Sequence, residues 1–201
     1  MATTYTDVDR LIFDRWEDTL GLVEAYEELQ DRVRDVIEEV GERLAAWGAD
    51  HAHTIDSDAK APEFSAYKAS WLNKRGDTGL VYYSLADFAP LGYRRVKDDH
   101  PSLWVYTENL EMLRKKEPER EQFARELRAR LGETATRWTH EDSDEANSPL
   151  GRYLADVSDK DRLRLIVEPD RLYEFATKAF TEAFTLSEAI DETLAKFRMP
   201  Q

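Results

Sequence analysis

Apolar residues recur early in the chain at Leu22, Tyr26, Leu29, Val33, Val36, Val40, Leu44 and Trp47, in steps of three and four. Charged residues fill most of the positions between them. This is the pattern of a coiled-coil seam with one stutter. Residues 8–47 are therefore predicted to be one or two helices, with Gly21 separating a shorter first helix around Leu11–Leu20 and Gly48 stopping the long one. The seam packs on its own domain, against the C-terminal helices, or it pairs with a partner or a second copy of the chain.

The period then changes. Residues 63–72, 79–85, 91–97 and 102–107 are rich in Tyr, Trp, Val and Phe with partial alternation. The segments NKRGDTG, ADFAP and DDHP that bound them have turn compositions. They predict antiparallel strands, with Leu80, Tyr82 and Ser84 on one side of their strand and Val81, Tyr83 and Leu85 on the other. Asn109 can cap a helix through Leu110 and Leu113, and Pro118 suits the first turn of a helix reaching Leu131, closed by Gly132.

Thr139–Pro149 is acidic and turn-rich and predicts a mobile loop. Residues 149–155 suggest a short helix, and the alternation from Arg162 to Val167 a strand. Leu172, Phe175, Ala176, Ala179, Phe180, Ala183 and Phe184 form a tight helical stripe. Thr185 and Glu188 have the spacing of a capping box for a last helix carrying Ile190, Leu194 and Phe197. The fold class expected is α+β, an antiparallel sheet of about four to five strands with a long N-terminal amphipathic helix and C-terminal helices packed on it. Residues 1–201 are expected to form one domain, helical over 1–48, strand-rich over 63–107, and mainly helical with one further strand over 109–201.

Composition narrows the chemistry. The 201 residues include no cysteine, which removes disulfides, zinc–thiolate sites and thiol nucleophiles. No apolar run is long enough for a transmembrane helix, and the N-terminus lacks the basic start and apolar core of a secretory signal, so a soluble cytoplasmic protein is expected. The net charge is −14, which disfavours nucleic acid and anionic membranes as partners. Nineteen of the 28 basic residues are Arg. An acidic, lysine-poor chain suits a salt-rich cytoplasm, although a GC-rich genome gives the same bias. Adaptation to brine predicts a melting temperature that rises from low to molar potassium chloride as carboxylate repulsion is screened. A flat or falling temperature would leave genome composition as the explanation.

Three groups of residues carry candidate chemistry. In ADHAHTIDSD, His51 and His53 lie two apart, so an extended chain would point both imidazoles one way, with Asp56 or Asp58 adding oxygen to a metal site. A solvated loop after the helix explains the same residues, and both histidines are then expected to be exposed. On the predicted strands, Tyr82, Tyr83 and Trp104 lie near Arg94 and Arg95, a set able to stack a base and hold a phosphate, or simply to fill a core. Asp56, Asp58, Lys60 and Glu63 together resemble the acid-and-lysine chemistry of metal nucleases, at a spacing that carries little specificity. No phosphate-cradling glycine loop or serine elbow occurs, and no cofactor is indicated. The function expected is non-catalytic binding or regulation, through an unidentified protein partner or self-association of the N-terminal helix. The alternative is a metal-dependent phosphodiesterase or nuclease-like enzyme.

Overall fold

A computed structural model describes residues 6–88, 101–113, 116–154 and 159–198, with backbone alone at residues 7–10, 159, 160 and 163. The chain begins with α1 (Asp7–Asp14) and α2 (Trp16–Asp50). The break falls at Arg15 rather than at Gly21. There the backbone leaves the helical region, and Thr19 closes the turn by donating both N–H and Oγ1–H to the Arg15 carbonyl. Gly21 is tolerated inside the helix.

Gly48 does not end α2 either. It marks a close approach: a Cβ there would lie 2.7 Å from Ile55 Cγ1 and 3.0 Å from the His53 carbonyl oxygen. Gly41 plays the same part opposite Ser57. These two glycines let α2 lie flat against β1 (Thr54–Asp58), the first strand of a five-stranded sheet.

The sheet is an antiparallel meander of β1, β2 (Glu63–Tyr67), β3 (Tyr82–Ala86), β4 (Ser102–Tyr106) and β5 (Leu150–Tyr153), in that order. Its register aligns Ile55, Ala66, Tyr83, Val105 and Leu150 across all five strands, with Phe64, Leu85 and Leu103 in the next inner row. All eight are buried. α3 (Glu117–Leu131) and the short α4 (Glu133–Thr136) lie between β4 and β5 in the chain, and α5 (Asp159–Val167), α6 (Pro169–Phe184) and α7 (Ser187–Arg198) follow β5. Val33, Val36, Ile37, Val40 and Leu44 of α2 join Leu172, Ala176, Ala179, Phe180 and Ala183 of α6 in the same core. Sheet plus helices is the expected α+β class.

Several local expectations are corrected. Residues 149–155 contain strand β5, not a helix. Leu150 fills the inner row, and the Trp104 indole occupies the space a Cβ on Gly151 would need. Residues 162–167 are the end of α5, not a strand. Arg162, Leu165 and Ile166 are buried at i, i+3 and i+4, a helical face that four alternating residues also fit. Thr54–Asp58 is strand β1 rather than a solvated loop, with Ile55 its one apolar residue. Its exposed polar and acidic residues suit the edge strand it is.

The 63–72 segment leaves the sheet after Tyr67 and turns through a 3-10 segment at Ala69–Trp71. The 79–85 strand starts only at Tyr82, after a bridge between Leu72 and Gly79. Residues 91–97 lie outside the described residues.

Asn109 does not cap a helix. It sits within a 3-10 segment (Glu108–Leu113) and donates to the Gly79 carbonyl. Thr185 does not form a capping box, because its Oγ1–H points back to the Glu182 carbonyl. The Pro118 start and the Gly132 stop of α3 agree with expectation. The 139–149 segment is tied to the end of β4, where Thr107 N–H donates to Asn147 and Thr107 Oγ1–H to Ala146.

Candidate functional site

The two histidines of ADHAHTIDSD go to different places. His51 ends α2 in the open, its ring against Trp47 and its Nδ1 2.8 Å from the Trp47 carbonyl. Ala52 then takes a φ of +57°, which turns the chain. His53 is consequently driven inward and is only 6% exposed, against the expectation of a solvated side chain. Its ring lies flat on Phe184, centroids 3.6 Å apart, and meets the Trp71 ring edge-on.

Both nitrogens of His53 are engaged. Nδ1 is 2.7 Å from the His51 carbonyl, which can only accept, so Nδ1 carries the proton. Nε2 therefore accepts from Ser187 Oγ at 3.0 Å, and Ser187 Oγ accepts from the Tyr83 hydroxyl at 2.9 Å. The result is a one-way chain of donors, Tyr83 to Ser187 to His53 to the backbone of His51. Burial lowers the His53 pKa below its ordinary 6.5. Burial pushes the Tyr83 hydroxyl far up.

Asp56 and Asp58 do not meet these imidazoles. They are exposed on the outer rows of β1, where Asp56 accepts from Tyr67 Oη at 2.9 Å and Asp58 accepts the Lys60 N–H at 2.8 Å. Among the described residues, no three His, Asp or Glu side chains are grouped to hold a metal ion.

The aromatic set is also divided. Tyr83 faces the core, while Tyr82 and Trp104 face the other side of the sheet; Arg94 and Arg95 lie outside the described residues. Tyr82 stacks on Tyr106 at 5.3 Å and donates to Glu108 at 2.8 Å. Burial, followed by that bond, raises its pKa. Trp104 is buried with Tyr153 at its edge. The strand residues of this outer face include Asp56, Asp58 and Glu63 but no Lys or Arg. Burial, then Asp58 and Asp87, raise the Glu63 pKa. The strand residues of this face are aromatic and acidic.

One feature had no signal in the sequence. Asp191 of α7 accepts from Lys68 Nζ (2.5 Å), Trp71 Nε1 (2.6 Å) and Ser70 Oγ (3.0 Å). Burial opposes its ionisation, but these donors hold its pKa below the usual value. Arg198 adds bonds to the carbonyls of Ser70 and Leu72. Each of these groups is satisfied by another, so the arrangement works as a clamp between α7 and residues 68–72. The adjoining cleft of about 370 Å³ is lined by Ser70, Asp191, Leu194, Ala195 and Arg198. A wider groove, about 790 Å³, runs between the Asn73–Thr78 turn and Met112–Leu113, with Lys74 and Arg75 on its wall.

Most of the exposed large apolar side chains among the described residues lie at the start of the chain. At 35 residues α2 spans about 50 Å, yet its first buried residue is Val33. The seam read from the sequence enters the core at Val33 and continues outward through Tyr26 and Leu22, both exposed. Beside it, Phe13, Trp16, Leu20 and Val23 make a second exposed row, with Trp16 at 52% and Leu22 at 73%. Phe13 and Trp16 stack across the α1–α2 break at 6.3 Å. Single exposed apolar residues are ordinary, but a contiguous patch of this kind is the usual mark of an interaction surface. Comparison of the chain with family models, with curated proteins and with solved structures finds no match.

Proposed function

We propose that this chain is a non-catalytic binding protein and that its binding element is the helical arm formed by α1 and the first half of α2. The observation that carries this reading is the exposure of Leu11 and Phe13 on α1 and of Trp16, Leu20, Leu22, Val23 and Tyr26 on the start of α2. Covering such side chains contributes roughly 1 kcal/mol or more apiece, so a few anchors support a specific complex. The interior supports the same reading. The polar groups around His53 and Asp191 are buried or paired with one another, and the base of the arm is seated in the core through Val33, Val36 and Ile37.

The test uses the intact chain as bait in extract from its own source. The comparison is a variant carrying Phe13→Ser, Trp16→Ser and Leu20→Ser, with its fold checked by circular dichroism. A stoichiometric partner retained by the native chain and lost by the variant is expected. Equal retention by both would overturn the reading. So would hydrolysis of a simple phosphodiester with manganese or magnesium that disappears in Asp56→Asn, because the alternative of a metal-dependent phosphodiesterase would then hold.

A further inference from the structure

We infer that the arm is built to receive a basic amphipathic helix from a different protein, rather than a second copy of this chain. The inference rests on the reading of the arm as the binding element and adds the chemistry of its occupant. Trp16, Leu20 and Val23 of α2 are spaced four and three apart, which places them at the apolar positions of a coiled-coil seam, and Phe13 of α1 stacks on Trp16 across the break at Arg15. Glu17 and Glu24 each follow an apolar residue of this seam, seven residues apart, and Asp31 continues their row. They form one charged edge of the seam. The opposite edge carries Ile12, Thr19 and Tyr26, which are uncharged.

A second copy therefore gains no interhelical ion pair. Packed antiparallel, it sets the acidic edge against an acidic edge. Packed parallel, it sets the acidic edge against the neutral one. The arm as a whole leans the same way, with nine acidic residues between Asp7 and Arg32 against the three cations Arg10, Arg15 and Arg32. Two such arms side by side repel, while a helix with Lys or Arg beside its apolar stripe pairs with Glu17 and Glu24 and relieves the acidic field. The exposed rings of Phe13 and Trp16 supply anchors of the kind that dominate helix-in-groove binding.

The probes are two synthetic peptides of about four heptads, long enough to be helical on binding. They share one leucine seam and differ only in carrying Lys or Glu at every flanking position. Anisotropy of each labelled peptide is read against the full-length chain, with sedimentation equilibrium of the chain alone in parallel. The lysine peptide should bind at least about tenfold more tightly at roughly 0.1 M salt. That advantage should fade near 1 M, where screening acts within about 3 Å. Trp16→Ser should weaken it about tenfold, and Glu17→Lys with Glu24→Lys should reverse the preference. Equal binding of both peptides, or preference for the glutamate peptide, would overturn the basic partner while leaving the arm as a binding element. A dimer of the chain that Trp16→Ser abolishes and the lysine peptide does not dissociate would give the arm to a second copy. A monomeric chain that binds neither peptide would overturn both readings.

Discussion

Phe180→Ala should destabilise the fold by about 3–5 kcal/mol, the usual range for deleting a buried ring. Phe180 is fully buried on the inner stripe of α6, among Leu172, Ala176, Ala179 and Ala183. The alanines let the helix come close to its neighbours, so little slack exists to refill the space a ring leaves. The ring also stacks on Phe184, with centroids 5.8 Å apart, and Phe184 in turn carries the His53 ring. Removing Phe180 therefore opens a cavity beside the surface on which His53 rests.

The loss is a large part of the total stability of a domain, about 5–15 kcal/mol. Lys178, two residues away and exposed, provides the contrast. Lys178→Ala should cost less than about 0.5 kcal/mol. Equilibrium denaturation of both variants reads the difference directly. Equal, small losses would show that the stripe is not a wall of the core.

The elements that were legible in the sequence are those whose signal is long and one-sided. The seam of α2, the α6 stripe and the Pro118 start of α3 each declare a face or an end without reference to the rest of the molecule. Short elements do not. Arg162–Val167 alternates for four residues, which a helix and a strand both accommodate, and packing decided for the helix. Leu150–Tyr153 is a strand because β4 offers it an edge and Trp104 covers Gly151.

The site residues follow the same rule. His53 and Ser187 are 134 positions apart and Asp191 and Lys68 are 123 apart, so no local pattern could have joined them. Even the α2 seam did not announce where the core stops. It keeps its period from Leu22 to Trp47, and only the fold shows that the part before Leu29 faces solvent.

Acidification should expose the second large dependence, on the donor chain from Tyr83 through Ser187 to His53. Burial favours neutral His53, so its pKa in the folded chain lies below the 6.5 of the unfolded one. Above pH 6.5 neither state binds a proton there, and this contribution to stability is complete. As pH falls below 6.5 the unfolded chain takes up the proton first, and stability declines until His53 in the folded chain is protonated as well. The slope from this one group is at most about 1.4 kcal/mol per pH unit. A protonated Nε2 donates instead of accepting, so the Ser187 Oγ–H loses its acceptor and one hydroxyl hydrogen of the Ser187–Tyr83 pair is left without a partner in this chain of bonds. His53→Phe keeps a flat ring on Phe184 and removes the titration, so its stability should stay level through the window just below pH 6.5 where the native chain weakens. Ser187→Ala should cost about 1–3 kcal/mol near neutral pH, because it strands the buried Tyr83 hydroxyl and His53 Nε2 together. Denaturation midpoints across pH decide the matter. If native chain and His53→Phe decline in parallel, the loss belongs to other groups. Asp191 is not among them, because its own contribution is lost only below pH 3.8.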